Sequence, residues 1–337
     1  MNALHGLAEN PSLPPDLLAR LVALADQDLK WHLSRRTDLS AAQRVRCHMT
    51  LVSDDPIPDP DVLPAERPDL SPVELFHLAT HENPLARLAL AARRDLPPEA
   101  CERLAEDPLP GVRWELAANP VTPEPVLRSL ATACQETRRN LAHNPKIPLD
   151  LLADIAPTTR IGPTLVPRVA TATPDELRLL AASDVPQVRA LVAQRGDLPP
   201  DVLDLLATDT DLAVAKGVAP ALAVSQLREV VHRHGTPVFP RAALNPNCPP
   251  DLLHHLATNA PAGHKTFREV AAHPNTSTET LLLCLHDDRG RAAAARHPSL
   301  PADVLLGLLD DPTTAEDAAA NPALPVSAMR TLLGPTT

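Results

Sequence analysis

The sequence has few of the residues that fill an irregular protein core. Its 337 residues include no tyrosine, three phenylalanines, two tryptophans and only ten glycines. Aromatic side chains supply much of the volume of compact cores, so a core of Leu, Ala and Val favours a regular, layered structure. Glycine-rich loops that hold phosphates are not expected, and G-x-S-x-G, G-x-G-x-x-G and P-loop motifs are absent. No catalytic residue is therefore assigned.

Positive charge is also scarce. The chain has 31 basic residues, of which four are lysines, against 42 acidic residues, and its net charge is −11. This balance disfavours a general binder of nucleic acids or anionic membranes. No apolar run approaches the roughly 18 residues of a membrane span, and the N-terminus lacks the pattern of a secretion signal. Five cysteines without C-x-x-C spacing fit a reduced compartment. We therefore expect a cytoplasmic protein that does not bind membranes.

Proline, in contrast, is abundant, with 40 residues, and much of it belongs to one recurring phrase. Typical copies are NPSLPPDLLARL, RRDLPPEACERL and NPNCPPDLLHHL. We call the first residue of each copy the phase residue. The thirteen phase residues, spaced by 24 to 31 residues, are Asn10, Arg36, Arg67, Arg93, Asn119, Asn144, Val169, Arg195, Ala219, Asn245, His273, His297 and Asn321.

Two columns of the repeat are apolar. The position eight residues after the phase residue is apolar in twelve of thirteen copies, with Arg44 as the exception, and the position eleven residues after it is apolar in all thirteen. Apolar positions three apart form the inner stripe of a short helix. The prolines before this stripe belong to the first helical turn, and the Asn-Pro or His-Pro pair ends a second, shorter helix.

Each repeat is thus an α-helix followed by a short α or 3-10 helix. Such a unit is too small to bury its own apolar face, so neighbouring units must stack. The sequence predicts an all-α fold without β-sheet, namely an α-solenoid of about thirteen repeats of 24–31 residues. It also predicts a single domain over residues 1–337 and, because the terminal repeats should be capped by polar faces, a monomer.

The repeat resembles a known family. The pattern Val-Arg-x-x-x-Ala-x-Asn-Pro-x-x-Pro-x-x-Leu-x-x-Leu is similar to that of the leucine-rich repeat variant family and, more distantly, to HEAT repeats. The resemblance implies alternating α and 3-10 helices in a right-handed superhelix. That family includes an N-terminal cysteine cluster that binds an iron–sulfur centre. No cysteine precedes Cys47 here, so that cluster is not carried over and no cofactor is expected.

Four segments depart from the repeat, near 53–68, 155–167, 232–241 and 258–266. Because a scaffold does not require such departures, they are places where function can lie. Neutral variation of loops is the favoured explanation.

Most cysteines replace apolar residues of the repeat. Cys47 and Cys284 fall in the plus-eleven column, Cys101 in the plus-eight column and Cys248 in a leucine-rich plus-three column. We interpret these four as structural, since buried cysteine behaves as a small hydrophobic residue. Cys134 lies outside these columns and is left undecided.

The histidines concentrate late in the chain, which raises the question of a metal site. His273 and His297 occupy the phase position, so they are variants of the helix terminator. His254 and His255 are consecutive on a helix and cannot face one ion together. No metal site is predicted.

A basic column precedes the phase residue by six positions. Its members are Lys30, Arg87, Arg113, Arg138, Arg189 and Arg291. The favoured interpretation is a structural ladder, in which each cation pairs with a carbonyl or with an acid such as Asp26, Asp107 or Asp184. The alternative is a stripe that binds acidic peptide or phosphate.

The only tryptophans, Trp31 and Trp114, each follow this column by one residue. Exposed tryptophan beside arginine is typical of the centre of a protein interface, although each ring could instead lie flat on a neighbouring repeat. The predicted binding residues are therefore Trp31, Trp114, Arg87, Arg113, Arg138 and Arg189.

Three functions follow from these features. The first is a non-catalytic scaffold that binds a protein or peptide along the concave face of the superhelix. The second is nucleic-acid binding, or a glycosylase-like role on DNA, through the Arg/Trp stripe. The third is a small-molecule enzyme with its site at the irregular loops.

Overall fold

The structure, a computed structural model, describes residues 2–39, 65, 67 and 69–334. Within these residues there are 24 α-helices and three 3-10 helices and no strand, which confirms the all-α prediction. No helix in the described ranges is both long and apolar enough to span a bilayer. Cys47 and most of the irregular segment 53–68 lie outside the described residues.

The helices alternate with short turns along the described chain. The first three are α1 (Asn2–Glu9), α2 (Pro15–Leu24) and α3 (Gln27–Ser34). Then follow α4 (Pro72–Leu78), α5 (Pro84–Ala91), α6 (Pro98–Ala105), α7 (Pro110–Ala118), α8 (Glu124–Leu130), α9 (Gln135–Ala142), α10 (Leu149–Ile155), α11 (Pro167–Ala170), α12 (Pro174–Ala181), α13 (Pro186–Val192), α14 (Pro200–Ala207) and α15 (Leu212–Val218). The last are α16 (Val224–His234), α17 (Phe239–Ala242), α18 (Pro250–Thr258), α19 (Thr266–Ala272), α20 (Thr278–Leu285), α21 (Arg291–Arg296), α22 (Ala302–Leu309), α23 (Ala315–Ala319) and α24 (Val326–Leu332).

Prolines begin many of these helices, as the sequence predicts. Three clear cases carry an acidic residue directly after the proline, Pro98–Glu99, Pro200–Asp201 and Pro250–Asp251. Proline loses no amide hydrogen bond in the first turn, and the acid interacts favourably with the helix dipole. Where Ser71 or Thr173 precedes the proline, its side chain closes a capping box with the glutamate three residues later.

The two apolar columns form the core. Of the twelve plus-eight residues in the described chain, eleven are buried and Leu203 is half-buried. Of the twelve plus-eleven residues, nine are buried, and Leu78, Leu308 and Leu332 are half-buried. Burying one such leucine contributes about 1.5–3 kcal/mol. The helices that carry the core therefore have their inner faces where the sequence predicts.

The phase residue has a second role that the sequence analysis did not foresee. Asn119 Nδ2 donates hydrogen bonds to the carbonyls of Ala91 (2.7 Å) and Arg93 (2.6 Å), in the preceding repeat. Asn144 makes the same pair of bonds to Ala117 and Asn119. Other phase residues make such bonds with a guanidinium or an imidazole, as Arg36, Arg93, Arg195, His273 and His297 do. We call each of these a rung. Rungs satisfy buried carbonyls and fix the spacing of neighbouring repeats.

The chain divides into two compact units. The central unit comprises residues 54–221, and the discontinuous unit comprises residues 1–53 together with 222–337. In the central unit, the second helices of successive repeats pack side by side, α5 on α7, α7 on α9 and α13 on α15. In the discontinuous unit, α19, α21 and α23 form the same kind of series. The prediction of one continuous domain stays a prediction.

Within the discontinuous unit, α1 packs against α23. Asn10 Nδ2 donates to the carbonyls of Ala319 (2.9 Å) and Asn321 (2.6 Å), so it forms a rung on the last repeat. The approach is close at Gly6, where an added Cβ would lie 1.8 Å from the carbonyl oxygen of Glu316. The first repeat thus continues the stack after the last one. The polar caps that the sequence analysis expected at the two ends are replaced here by this mutual contact.

Candidate functional site

The arginines of the basic column are held by the chain itself. Arg87 Nε and Nη2 donate hydrogen bonds to the carboxylate of Asp107 (2.5 and 3.2 Å), and Arg87 Nη1 donates to the carbonyl of His81 (2.6 Å). Arg189 repeats this arrangement with Asp209 (2.6 and 3.1 Å). The hydrogen bonds that Arg87 donates to Asp107 raise the pKa of Arg87. Each acid lies 20 residues downstream, in the next repeat, rather than upstream.

Two other arginines of the column bond to backbone carbonyls. Arg113 Nη1 donates to the carbonyl of Asp107, and Arg138 Nη1 donates to that of Ala133 (2.5 Å). These contacts are those of the structural ladder. The binding role of Arg87, Arg113, Arg138 and Arg189 stays a prediction, and their geometry gives it no support.

Trp114 lies on α7 in the central unit and is 36% exposed. Its neighbour is Cys134, an exposed residue at the N-cap position of α9. Hydrogen bonds from Thr137, and a further one from Trp114, lower the pKa of the Cys134 thiol. The Cys134 sulfur lies 3.3 Å from the hydroxyl oxygen of Thr137. The undecided cysteine of the sequence is thus a surface thiol.

The remaining described cysteines are buried, as the repeat predicts. Burial raises the pKa of Cys101 to about 11 and that of Cys248 and Cys284 to about 12. These thiols remain protonated and pack as apolar groups.

Trp31 lies on α3 in the discontinuous unit and is 48% exposed. The helix is fixed at its start by Asp26, whose carboxylate accepts from the amide of Leu29 (2.9 Å). The guanidinium carbon of Arg35 lies 5.1 Å from the centroid of the indole ring, a cation–π contact. The ring of His32 meets the indole edge-on at a centroid distance of 4.9 Å. Trp31 is therefore exposed but held in a defined orientation.

A cleft of about 450 Å³ opens next to His32 and Arg35. Arg36 connects the cleft to the first repeat, because its Nη1 donates to the carbonyls of Ala8 (2.9 Å) and Asn10 (2.8 Å). The same guanidinium donates hydrogen bonds to both carboxylate oxygens of Asp38. The residues that line the cleft are Glu9, Pro11, His32, Arg35, Arg36, Thr37 and Asp38.

The acid of this cleft, Glu9, is held from two sides. Its Oε1 lies 2.9 Å from His32 Nδ1, and its Oε2 accepts from Arg296 Nη1 (2.7 Å). Burial acts to raise the pKa of Glu9, but the hydrogen bonds from Arg296 and His32 outweigh it and lower that pKa. Glu9 is therefore an ionised acceptor at neutral pH.

A second histidine completes the site. The ring of His5 stacks on that of His32 with centroids 4.8 Å apart and an interplanar angle of 11°. Glu316, on α23, lies beside both, and the three side chains can offer ligand atoms within 4.8 Å of one another. This group was not predicted from the sequence, since the concentration of histidines that suggests a metal site lies in the later repeats, whereas His5 and His32 lie in the first 32 residues.

Three of the irregular segments lie within the described residues, and there they connect helices through turns and short 3-10 helices. Segment 155–167 contains the 3-10 helix Ala156–Thr158, and segment 232–241 contains Thr236–Val238. Gly235 and Gly263 turn the chain with φ of 62° and 71°, values that favour glycine. The amide of Gly263 donates to the carboxylate of Asp287 (2.6 Å). In the described residues, these segments therefore serve as connections between helices.

Comparison with known proteins gives no family. No protein-family model and no curated protein matches the sequence. An engineered protein, whose crystal structure was solved by the Northeast Structural Genomics Consortium, aligns over 95% of this chain and 98% of its own. The identity is 14% and the TM-score is 0.12. That TM-score is too low to carry any argument about fold or function.

Proposed function

We propose that this chain is a non-catalytic binding protein that captures a protein or peptide segment on the Trp31 surface. We define this surface as Trp31, Arg35 and the cleft beside them. The single observation that carries the proposal is that Trp31 is 48% exposed while its ring is held by Arg35 and His32. An exposed, oriented tryptophan gains contact area on binding without a large loss of side-chain entropy.

The chemistry of the surface selects the ligand. Around the cleft, Arg36 is paired with Asp38, and Glu9 with Arg296. Arg35 extends over the indole face, where it can donate to a carboxylate. The ligand that fits is an extended segment with an acidic residue next to an apolar or aromatic one.

We further propose that the stacked repeats of each unit form an α-solenoid of the kind found in the leucine-rich repeat variant family, about thirteen repeats in all. The support is that rungs made by asparagine, arginine and histidine recur at equivalent positions. A concave binding face, a monomeric state and a cytoplasmic location remain predictions of the sequence.

Peptide display tests the binding proposal. The wild-type protein should enrich peptides that carry an acid beside an apolar residue. Trp31→Ala should weaken the affinity for a selected peptide by about 30-fold, since a central interface residue contributes about 2 kcal/mol. Trp114→Ala is the matched control, because Trp114 occupies the same repeat position, and it should leave the affinity unchanged.

Two results would count against the proposal. One is the absence of any enriched peptide, and the other is equal affinity of wild type and Trp31→Ala for the peptides selected. A gel shift at low salt addresses nucleic-acid binding. If single-stranded DNA or RNA binds and Trp31→Ala abolishes that binding, a nucleic-acid ligand replaces the peptide.

A further inference from the structure

Three metal-ligating side chains meet in the discontinuous unit. His5 comes from α1, His32 from α3 and Glu316 from α23, and their ligand atoms can lie within 4.8 Å of one another. All three residues are half-buried. They are therefore partly shielded from water, yet an ion can reach them from solvent.

The histidine at the centre has the environment of a metal ligand. His32 Nδ1 lies 2.9 Å from Glu9 Oε1, and the other oxygen of Glu9 accepts from Arg296 Nη1 at 2.7 Å. With Nδ1 directed at Glu9, the second ring nitrogen of His32, Nε2, is the one left to coordinate an ion. Arg296 holds the other oxygen of Glu9 and is itself held by Asp317. A carboxylate that orients a histidine in this way is the usual outer shell of a zinc site.

We propose that His5, His32 and Glu316 bind one divalent transition-metal ion, with Zn²⁺ as the representative ion. Two imidazoles and one carboxylate are a ligand set that zinc accepts, and nitrogen ligands disfavour Ca²⁺ and Mg²⁺. Zinc bonds of about 2.0–2.2 Å place tetrahedral ligand atoms about 3.5 Å apart. Because imidazole lone pairs lie in the ring plane and the two rings are stacked at 11°, coordination by both requires the rings to turn out of this stack so that their nitrogens meet at the ion. A water molecule would take the fourth position.

The ion would have a structural effect beyond its site. The ligands belong to α1, α3 and α23, which are the helices that join the first repeat to the last. An ion bound only when these helices are together stabilises their contact by mass action. This inference does not depend on the binding function proposed for the Trp31 surface.

Calorimetric titration of the tag-free, EDTA-treated protein with Zn²⁺ tests the site. We expect one equivalent of Zn²⁺ to bind and the melting temperature to rise. Glu316→Gln removes the carboxylate at constant shape, and His5→Phe keeps a ring to stack on His32, so both should weaken binding at least tenfold. Glu9→Gln should weaken it by about 10- to 100-fold through loss of the orienting carboxylate. His286→Gln, at an exposed histidine of the same unit, is the control and should bind as wild type does.

Hydrogen exchange of the wild type keeps the test decisive even if a variant folds poorly. Zn²⁺ should slow amide exchange in α1 and α23, and Co²⁺ should give the visible absorption of a site with nitrogen and oxygen ligands. The proposal is overturned if wild type binds no Zn²⁺. It is equally overturned if folded Glu316→Gln and His5→Phe retain full affinity, or if the protection lies outside these helices.

Discussion

Trp31 and Trp114 occupy the same position of the repeat, five residues before a phase residue, yet their surroundings differ. Trp114 lies among consecutive repeats of the central unit, and its polar neighbour is Cys134. Trp31 lies on α3, which packs on α1, and α1 in turn packs on α23. His5, Glu9 and Glu316 therefore gather around its neighbour His32 from distant parts of the sequence. The repeat fixes where a side chain lies, and the contact between first and last repeats supplies the chemistry around it.

The two regions are also held together differently. In the central unit, Asp107 connects neighbouring repeats, since it pairs with Arg87 and accepts from the amide of Leu109. In the unit that carries Trp31, hydrogen bonds between distant segments join the first repeat to the last, such as those from Asn10 to the carbonyls of Ala319 and Asn321. Substitutions can therefore disturb one region and leave the other intact.

The largest effect is expected from Arg87→Ala in the central unit. It leaves the carboxylate of Asp107, whose side chain is 2% exposed, without its charged partner. We expect a loss of about 3 kcal/mol of unfolding free energy, measured by urea denaturation. Arg128→Ala is the control, because its pairs with Glu124 and Asp150 are exposed, and it should change little. A similar small change for Arg87→Ala would contradict the ladder as a structural device.

Two asparagine substitutions, one in each unit, compare the rung between the first and last repeats with a rung between consecutive repeats. Asn10→Ala and Asn144→Ala each remove a buried side chain with two bonds to carbonyls of the preceding repeat in the stack. Each should cost about 1–3 kcal/mol, because buried carbonyls lose their donors. Hydrogen exchange should locate the loss of protection in α1 and α23 for Asn10→Ala, and in the central unit for Asn144→Ala. Loss confined to other helices in either variant would refute the rungs.

Thiol labelling separates Cys134 from the buried cysteines. The pKa of Cys134 is lowered by hydrogen bonds from Thr137 and Trp114, whereas burial raises that of Cys101 to about 11. At neutral pH we expect iodoacetamide to modify Cys134 first and Cys101, Cys248 and Cys284 only on unfolding. Mass spectrometry of partially labelled protein gives the order. Trp114→Phe should slow the labelling of Cys134, because it removes one donor; unchanged labelling would argue against that hydrogen bond.

Acid should affect both regions modestly. The folded-state pKa of Glu9 lies below its ordinary value of 4.5, and that of Glu176, bonded to Arg168 and Thr173, is lowered to about 2. A depressed folded pKa gives stability that is full above pH 4.5 and is lost as pH falls through the folded value. For Glu176 that window runs from 4.5 down to about 2. Thermal melts of Glu9→Gln and Glu176→Gln should therefore show a weaker acid dependence than wild type, and an unchanged dependence would exclude these two groups as its source.

Much of the local structure follows from sequence because it depends on neighbours along the chain. The apolar columns predict the buried faces, and Pro98 or Pro200 predicts where a helix begins. Neither pattern carries information about residues hundreds of positions apart. The group of His5, His32 and Glu316 was therefore invisible to periodicity.

One signal for the contact between first and last repeats was present in the sequence. Asn10 has the identity of a rung residue, although only α1 precedes it and no complete repeat does. In the structure, Asn321 and Ala319 provide the carbonyls that it needs. Asp16 likewise forms an ion pair with Arg330 at 3.4 Å, as Asp150 does with Arg128 in the central unit.

The rung from Asn10 to Asn321 has a consequence for how the protein is made. Asn10 and Asn321 are 311 positions apart, so on the ribosome α1 is made well before the carbonyls to which Asn10 donates. Helices shorter than about 12 residues are barely stable alone, so the eight residues of α1 lack this packing until Asn321 has been synthesised. The central unit, residues 54–221, lies between these segments in the sequence and can fold while the chain grows, before the contact of α1 with α23 forms.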